Sequence, residues 1–324
     1  NPPPFDEMKW RRDVEKQKKE MLYAPHIRDG SYFNPWMPME RAGFTRFLSW
    51  KFSAEERIYT EEENAFMPTF IPNLAGRIHT IPEGDLIAWV GHSTFLIRIN
   101  GEYWLTDPIF SERALIIKRK TPPAITAEEL KSLGGKVNVL VSHNHYDHFD
   151  KASIRALPDN TRIFVPLGLK GQVEDGTGKK NVIEMDWWES ADAGNGVTVT
   201  CLPAQHWSRR ISQGMNNSLW ASFLIRTPKV SIYYGADSGY FIGYGEIGRK
   251  FPGIDYALLP VTAYHPRWFM HYAHIDAKEA LDACVDRGAK YFIPTQWGTF
   301  PLGDAPIARS WPSRWRCRLS SRHS

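Results

Sequence analysis

The chain has 324 residues, 42% of them hydrophobic and 13% aromatic, with a formal net charge of +4. That length buries a sizeable core in one large domain or two small ones, and a small charge of mixed sign argues against nucleic acid as a partner. No apolar run reaches the ~18 residues of a membrane-spanning helix, and Cys201, Cys284 and Cys317 are far apart without CxxC pairing, which predicts no disulfide framework and fits a reducing compartment.

Residues 1–84 read as an N-terminal arm packed on the body. Met8 to Met21 is a charged stretch of good helix formers and predicts one helix. Asp29 to Met39 and Pro68 to Pro82 are rich in Pro, Gly, Asn and aromatics and predict extended structure. From Leu86 the pattern turns to strands. Leu86–Val90 and Thr94–Ile99 are followed by the hairpin signal Asn100-Gly101 and the returning strand Tyr103–Thr106. Thr126 to Leu133 begins with an N-cap Thr and Glu128-Glu129 in its first turn, predicting a helix.

Val137–Val141 is the next strand, followed by Arg162–Val165, Asn181–Met185, Val197–Leu202, Ser218–Ile225, Ser231–Tyr234 and Tyr256–Pro260. Asp276 to Arg287 predicts a helix leading into the strand Tyr291–Pro294. Many strands with interspersed helices imply an α/β domain, residues 85–304, with two sheets packed together and covered by helices. Residues 305–324 contain no acid, and Arg309, Arg314, Arg316, Arg318 and Arg322 alternate with Ser and Trp. This basic tail reads as a disordered terminus, with a contact to anionic lipid or nucleic acid as the alternative.

The strand Val137–Val141 delivers His143-Asn144-His145-Tyr146-Asp147-His148. Three imidazoles and a carboxylate within six residues are the donor types of zinc and similar divalent ions. They are more than one tetrahedral ion shares with a substrate water, which suggests two metals completed from other strand ends. His206 after Val197–Leu202, Asp237 after Ser231–Tyr234, and the segment Pro294–Thr299 qualify. Isolated histidines such as His26, His79 and His323 read as packing or surface residues.

With these residues the sequence resembles the metallo-β-lactamase fold superfamily, through HxHxDH with a later His and a later Asp. The blocks Trp89–Thr94, Leu105–Phe110, Ser142–His148, Phe164–Gly168, Asp186–Glu189, Pro266–Met270 and Trp297–Phe300 resemble the N-acyl-phosphatidylethanolamine-hydrolysing phospholipase D family, in family order. The resemblance implies an αββα sandwich. It assigns His143, His145 and His206 to a first zinc, Asp147 and His148 to a second, and Asp237 to both. The position of a final metal histidine carries Gln296, so the second site is expected to be weaker, altered in metal preference or completed by water. His274 falls where the family has a histidine near the scissile phosphate. It follows Ala273 where a polar amide is expected, which puts substrate contacts there in doubt. His92 and Asp107 are read as supports that orient ligand side chains. Trp187, Trp188, Trp268 and Phe269 read as core.

The implied chemistry is attack on phosphorus by a hydroxide held between two zinc ions, with His274 and Asp147 as catalytic side chains. The expected substrate is a phospholipid or another phosphodiester. A metal-dependent lactonase and a metal-binding protein that has lost activity stay open as alternatives. Phe33, Trp36, Met37, Phe44, Phe47 and Leu48 of the arm offer a peripheral membrane contact, or else pack in the core. The chain begins at Asn1 rather than Met, which reads as a processed or truncated product.

Overall fold

The computed structural model describes residues 5–39, 60–69, 71–211, 213–304 and 315–316. Strands β1 (Leu86–Gly91), β2 (Thr94–Ile99), β3 (Glu102–Thr106), β4 (Val137–Leu140), β5 (Arg162–Pro166) and β6 (Val182–Met185) form one sheet, in the order β6-β5-β4-β3-β2-β1. Its β1–β3 part is an antiparallel meander, and β3, β4, β5 and β6 run parallel. The second sheet contains β7 (Ser190–Asp192), β8 (Thr198–Leu202), β9 (Ser222–Arg226), β10 (Ser231–Tyr234), β11 (Tyr256–Pro260), β12 (Tyr291–Thr295) and β13 (Trp315–Arg316), in chain order. Here β10, β11 and β12 are parallel and the other pairs antiparallel.

The period-2 alternation of the strands decides which face meets which layer. Phe95, Ile97, Ile99 and Trp104 share a core with Val199, Cys201, Phe223 and Ile225 of the second sheet. Leu96, Leu105, Val139 and Ile163 point the other way, toward Leu130, Ile154 and Val173 on helices. Those helices are Ala127–Ser132, Lys151–Ala156 and Lys170–Thr177. Against the second sheet, Ala277–Asp286 packs on β11 and β12, with Gly243–Lys250 beside it. Capping boxes at Thr126/Glu129 and Asp276/Glu279 start the two helices that the sequence marks. The result is the expected two-sheet sandwich with helices on both sides.

Several local expectations change. Helix Glu7–Glu15 ends short of Met21, followed by a 3₁₀ turn at Lys19–Tyr23. The buried Gln17 between them turns inward, where its Oε1 accepts from the Ile242 backbone at 3.0 Å. Within Pro68–Pro82, read as extended, Leu74–Thr80 is a helix capped by the Asn73 side chain; Leu74, Ala75 and Ile78 bury one face of it. Cys284 is disulfide-bonded, against the expectation, and Cys201 is a free buried thiol; sequence separation does not report distance in the fold. In the tail, Trp315–Arg316 pairs with Tyr291–Phe292, while Arg309, Arg314, Arg318 and Arg322 lie outside the described residues. Among the described residues no helix is long and apolar enough to cross a membrane.

Candidate metal centre

Four strand ends deliver the donors to one edge of the sandwich. The loop His143–His148 leaves β4 and is turned by backbone hydrogen bonds from His148 and Phe149 to the His145 carbonyl, at 3.2 and 2.8 Å. Arg210 clamps it. One guanidinium nitrogen donates to the carbonyls of Asn144 (2.8 Å) and Phe149 (2.9 Å), and the group stacks 4.0 Å over the Tyr146 ring. His206 follows β8, Asp237 follows β10, and Gln296 follows β12. His92, Asp107, Ala236 and Gln296 all have positive φ, between 34° and 67°.

One group comprises His143 Nε2, His145 Nδ1 and His206 Nε2. The first two atoms are 2.8 Å apart and the last two 3.2 Å. Asp237 Oδ2 lies 3.6 Å from His206 Nε2 and 4.0 Å from His143 Nε2. Burial, and then the neighbouring imidazoles, drive His143 well below the usual histidine range. Burial likewise drives His206 well below that range against the pull of Asp237, and brings His145 down to about 4. Three neutral imidazoles therefore converge their ring nitrogens. The opposite edges of two rings are fixed, with His143 Nδ1 2.8 Å from Ser142 Oγ and His206 Nδ1 donating to the Ala273 carbonyl at 3.1 Å.

The other group contains Asp147, His148 and Gln296. His148 Nε2 is 3.1 Å from Asp147 Oδ2 and 3.2 Å from Asp237 Oδ1. Burial opposes its charge, but Asp237, Asp147 and Asp107 hold it well above the usual histidine range. Burial would raise Asp147 and Asp237, yet His148 foremost holds both carboxyls well below the usual range. Asp237 thus faces both groups, one oxygen to each. His92 Nε2 sits 2.9 Å from Asp147 Oδ2, and Asp107 Oδ2 accepts from His148 Nδ1 at 2.6 Å. His92 and Asp107 orient donors from behind.

Gln296 is 2% exposed. Its Nε2 donates to Asp237 Oδ1 and lies 3.2 Å from His148 Nε2, while its Oε1 is buried without a partner. With the amide turned, that oxygen would face the cluster beside the Asp237 carboxylate, an arrangement that suits a bound cation. The orphaned acceptor, the converging imidazole nitrogens and two carboxylates fit a divalent metal. His143, His145, His206 and Asp237 offer donor atoms within 4.8 Å of one another, as do His92, Asp147 and His148. A Cys-free set of imidazole and carboxylate suits zinc, iron or manganese.

His274 lies beside the cluster. Its Nδ1 is buried, unpartnered and 3.8 Å from Asp237 Oδ2. Burial lowers its basicity, partly offset by Asp237. Ile275 N–H donates to the Ser238 carbonyl at 2.9 Å, which pins this segment beside Asp237. Gly239 permits the approach, since a Cβ there would sit 1.9 Å from the Tyr272 carbonyl oxygen. Arg267, bound to Glu7 and Glu279, also donates to the His274 carbonyl at 3.3 Å.

The remaining residues singled out from sequence lie around this centre. Ala273 is 6% exposed and acts through its carbonyl on His206. Trp187 and Trp268 are buried; the Trp187 and Trp188 indoles donate to the carbonyls of Trp220 and Leu22. From the arm, Asn34 Nδ2 donates to the His206 carbonyl at 3.1 Å, and Trp36 is buried with its indole N–H on Gln205. Trp36 is therefore not available as an exposed membrane contact, and Phe44, Phe47 and Leu48 lie outside the described residues. Sequence reasoning missed Tyr234, whose hydroxyl donates to Asp107 at 2.5 Å, and Arg210. The only signal was their adjacency to donors, Tyr234 three residues before Asp237 and Arg210 four after His206.

A family model described as a beta-lactamase superfamily domain matches residues 103–297. The chain is 35% identical over 236 residues to N-acyl-phosphatidylethanolamine-hydrolyzing phospholipase D 1 of Caenorhabditis elegans, covering 68% of this chain and 65% of that protein. It is 32% identical over 302 residues to an uncharacterised protein of Mycobacterium tuberculosis, covering 87% and 77%. It thus spans less than two thirds of the length of the nematode relative. Among solved structures, Igni18, a metallo hydrolase from Ignicoccus hospitalis, superposes with a TM-score of 0.52 at 22% identity, covering 69% and 85%. A possible metal-dependent hydrolase from Veillonella parvula gives 0.55 at 15% identity, covering 68% and 87%. The family match spans strands β3 to β12 and the loops that bring the donors together, so the chain belongs to the beta-lactamase superfamily and resembles the N-acyl-phosphatidylethanolamine-hydrolysing phospholipases D.

Proposed function

We propose that the chain is a zinc-dependent phosphodiesterase that cleaves N-acylated phosphatidylethanolamine in the manner of a phospholipase D. The observation that carries this reading is Asp237, whose two oxygens face two donor groups, 3.2 Å from His148 Nε2 on one side and 3.6 Å from His206 Nε2 on the other. The 35% identity to the nematode phospholipase supports the substrate class. His143, His145, His206 and Asp237 would hold one ion; Asp147, His148, Asp237 and Gln296 would hold a second. Bound there, a pair of divalent ions supplies Lewis acidity toward a phosphoryl oxygen and activates water at neutral pH.

The protein's own groups do the rest. His274 Nδ1 has no hydrogen-bond partner among the described residues, so it is placed to hydrogen-bond a phosphoryl or leaving-group oxygen. Asp147 is held ionised beside His92 and His148, which keeps its carboxylate available to a cation. Ser142 and the Ala273 carbonyl keep the His143 and His206 rings from turning.

The test is to load the chain with zinc, confirm the bound metal, and offer N-acyl-phosphatidylethanolamine in mixed micelles beside lactones and an aryl phosphodiester. Formation of N-acylethanolamine and phosphatidic acid is expected. Metal-loaded protein that yields neither product overturns the substrate. Lactone turnover without phosphodiester turnover would favour the lactonase reading, and a loaded chain inert toward all three would favour lost activity.

A further inference from the structure

The N-terminal arm reaches the donor cluster through the buried side chain of Asn34, whose amide is fully used. Asn34 Nδ2 donates to the His206 carbonyl at 3.1 Å and to the Tyr272 hydroxyl at 2.7 Å, while Oδ1 accepts from the Trp220 indole at 3.0 Å. The Tyr272 hydroxyl donates in turn to the Met37 carbonyl, back on the arm, at 2.6 Å. The His206 ring is held by the carbonyl of Ala273, the residue after Tyr272. Two segments grip His206, its own backbone and the 272–274 loop, and one arm amide joins them.

The same segments are tied to the Asp237 loop. Gln205 N–H donates to Ser238 Oγ at 2.9 Å, Gly239 N–H to the Gln205 carbonyl at 2.8 Å, and Gln205 Nε2 to the Tyr272 carbonyl at 3.0 Å. His206, Asp237 and His274 thus ride on three loops that share one buried polar network, and such a network fixes a single geometry. The arm is anchored independently of Asn34. Trp36 packs 5.1 Å from the Phe241 ring and 5.3 Å from the Trp187 ring, and its indole donates to Gln205 at 3.1 Å. Ring burial docks the arm, which leaves the Asn34 hydrogen bonds to set how the His206 and 272–274 segments sit against each other.

We propose that Asn34 is a positioning residue of the metal centre. It acts through the His206 carbonyl and Tyr272 to hold His206 Nε2 in register with His143 Nε2 and His145 Nδ1. The proposal rests on the metal reading of that group and goes beyond it by making the arm part of the centre. The test is zinc affinity by chelator competition, together with the visible absorption of the chain loaded with cobalt(II). Asn34→Leu, close in volume but without a polar side-chain atom, should bind the first zinc about tenfold more weakly and shift the cobalt absorption. Leu22→Ala is the control, at a buried apolar position of the same arm. It should lower the melting temperature of the metal-free chain and keep the wild-type affinity and spectrum. Tyr272→Phe removes a single oxygen and should weaken zinc binding about threefold. It decides the matter if Asn34→Leu does not fold. A folded Asn34→Leu with wild-type affinity and spectrum overturns the proposal, as does a loss that Leu22→Ala matches. Should Asn34→Leu fail to fold, wild-type affinity in Tyr272→Phe overturns it. Wild type that takes up neither zinc nor cobalt sinks the metal reading and the proposal together. No substrate enters these measurements, so they stand apart from the cleavage of N-acyl-phosphatidylethanolamine.

Discussion

Asp107 Oδ2 accepts hydrogen bonds from His148 Nδ1 at 2.6 Å and from the hydroxyls of Ser142 and Tyr234 at 2.5 Å each, while Oδ1 takes the Ser142 N–H at 2.7 Å. One buried carboxylate thereby fixes the ring of a metal-site histidine and, through Ser142, the ring of another, His143. Asp107→Asn substitutes two donor hydrogens for one acceptor oxygen and cannot serve all of these donors. Metal affinity should fall by about 10–100-fold, measured by competition with a coloured chelator. Unchanged affinity would remove Asp107 from the centre.

Gln296 puts an amide where the resemblance expects an imidazole donor. Gln296→His should tighten binding of the second ion by about tenfold or more, because imidazole is the stronger donor for zinc. Gln296→Ala should loosen it. Titration calorimetry paired with metal analysis reads both. If neither variant changes stoichiometry or affinity, Gln296 does not face the ion.

Arg287 is 1% exposed, lies 3.7 and 4.4 Å from the rings of Tyr233 and Tyr244, and among the described residues has no hydrogen-bond partner on any guanidinium nitrogen. Desolvation of such an ion costs several kcal/mol. Two cation–π faces return about 2 kcal/mol each, and the helix C-terminus a few tenths more. The balance leaves a small deficit. Arg287→Met, which keeps the apolar stem, should raise stability by about 1 kcal/mol in denaturant titration. A loss of similar size would show that the tyrosine faces outweigh desolvation.

His26 Nε2 sits 2.8 Å from Asp186 Oδ1. Burial lowers the basicity of His26, but the hydrogen bond and charge of Asp186 outweigh it and raise the folded pKa above the ordinary value of 6.5. A raised folded pKa stabilises fully below the unfolded value and is lost as pH climbs through the folded one. The melting-temperature gap between wild type and His26→Gln should therefore be widest below about pH 6.5 and shrink above it. A gap that widens toward alkaline pH would reverse the assignment.

Local pattern and donor chemistry made much of the molecule legible from sequence. Strand alternation is a nearest-neighbour property, so Phe95/Ile97/Ile99 against Leu96 already announces a sheet with two apolar faces. Capping residues such as Thr126 and Asp276 act within one turn. Histidines and aspartates placed just after strands announce metal chemistry because few other environments accommodate so many of them.

Other features depend on groups far apart in the chain. Helix Leu74–Thr80 is hidden among prolines and glycine, since only the core decides that Leu74 and Ile78 share a buried face. Asp107 reaches His148 across 41 residues and Tyr234 across 127, and no spacing rule connects them. Arg210 reaches back 66 residues to hold the Asn144 carbonyl. The sequence by itself thus determined the two-sheet architecture and pointed to the candidate metal donors, because both readings follow from residue type and short-range period. Only the tertiary structure decided which carboxylate orients which ring, where the Gln296 amide lies, and which apolar side chains stay exposed, because packing between distant segments sets those distances.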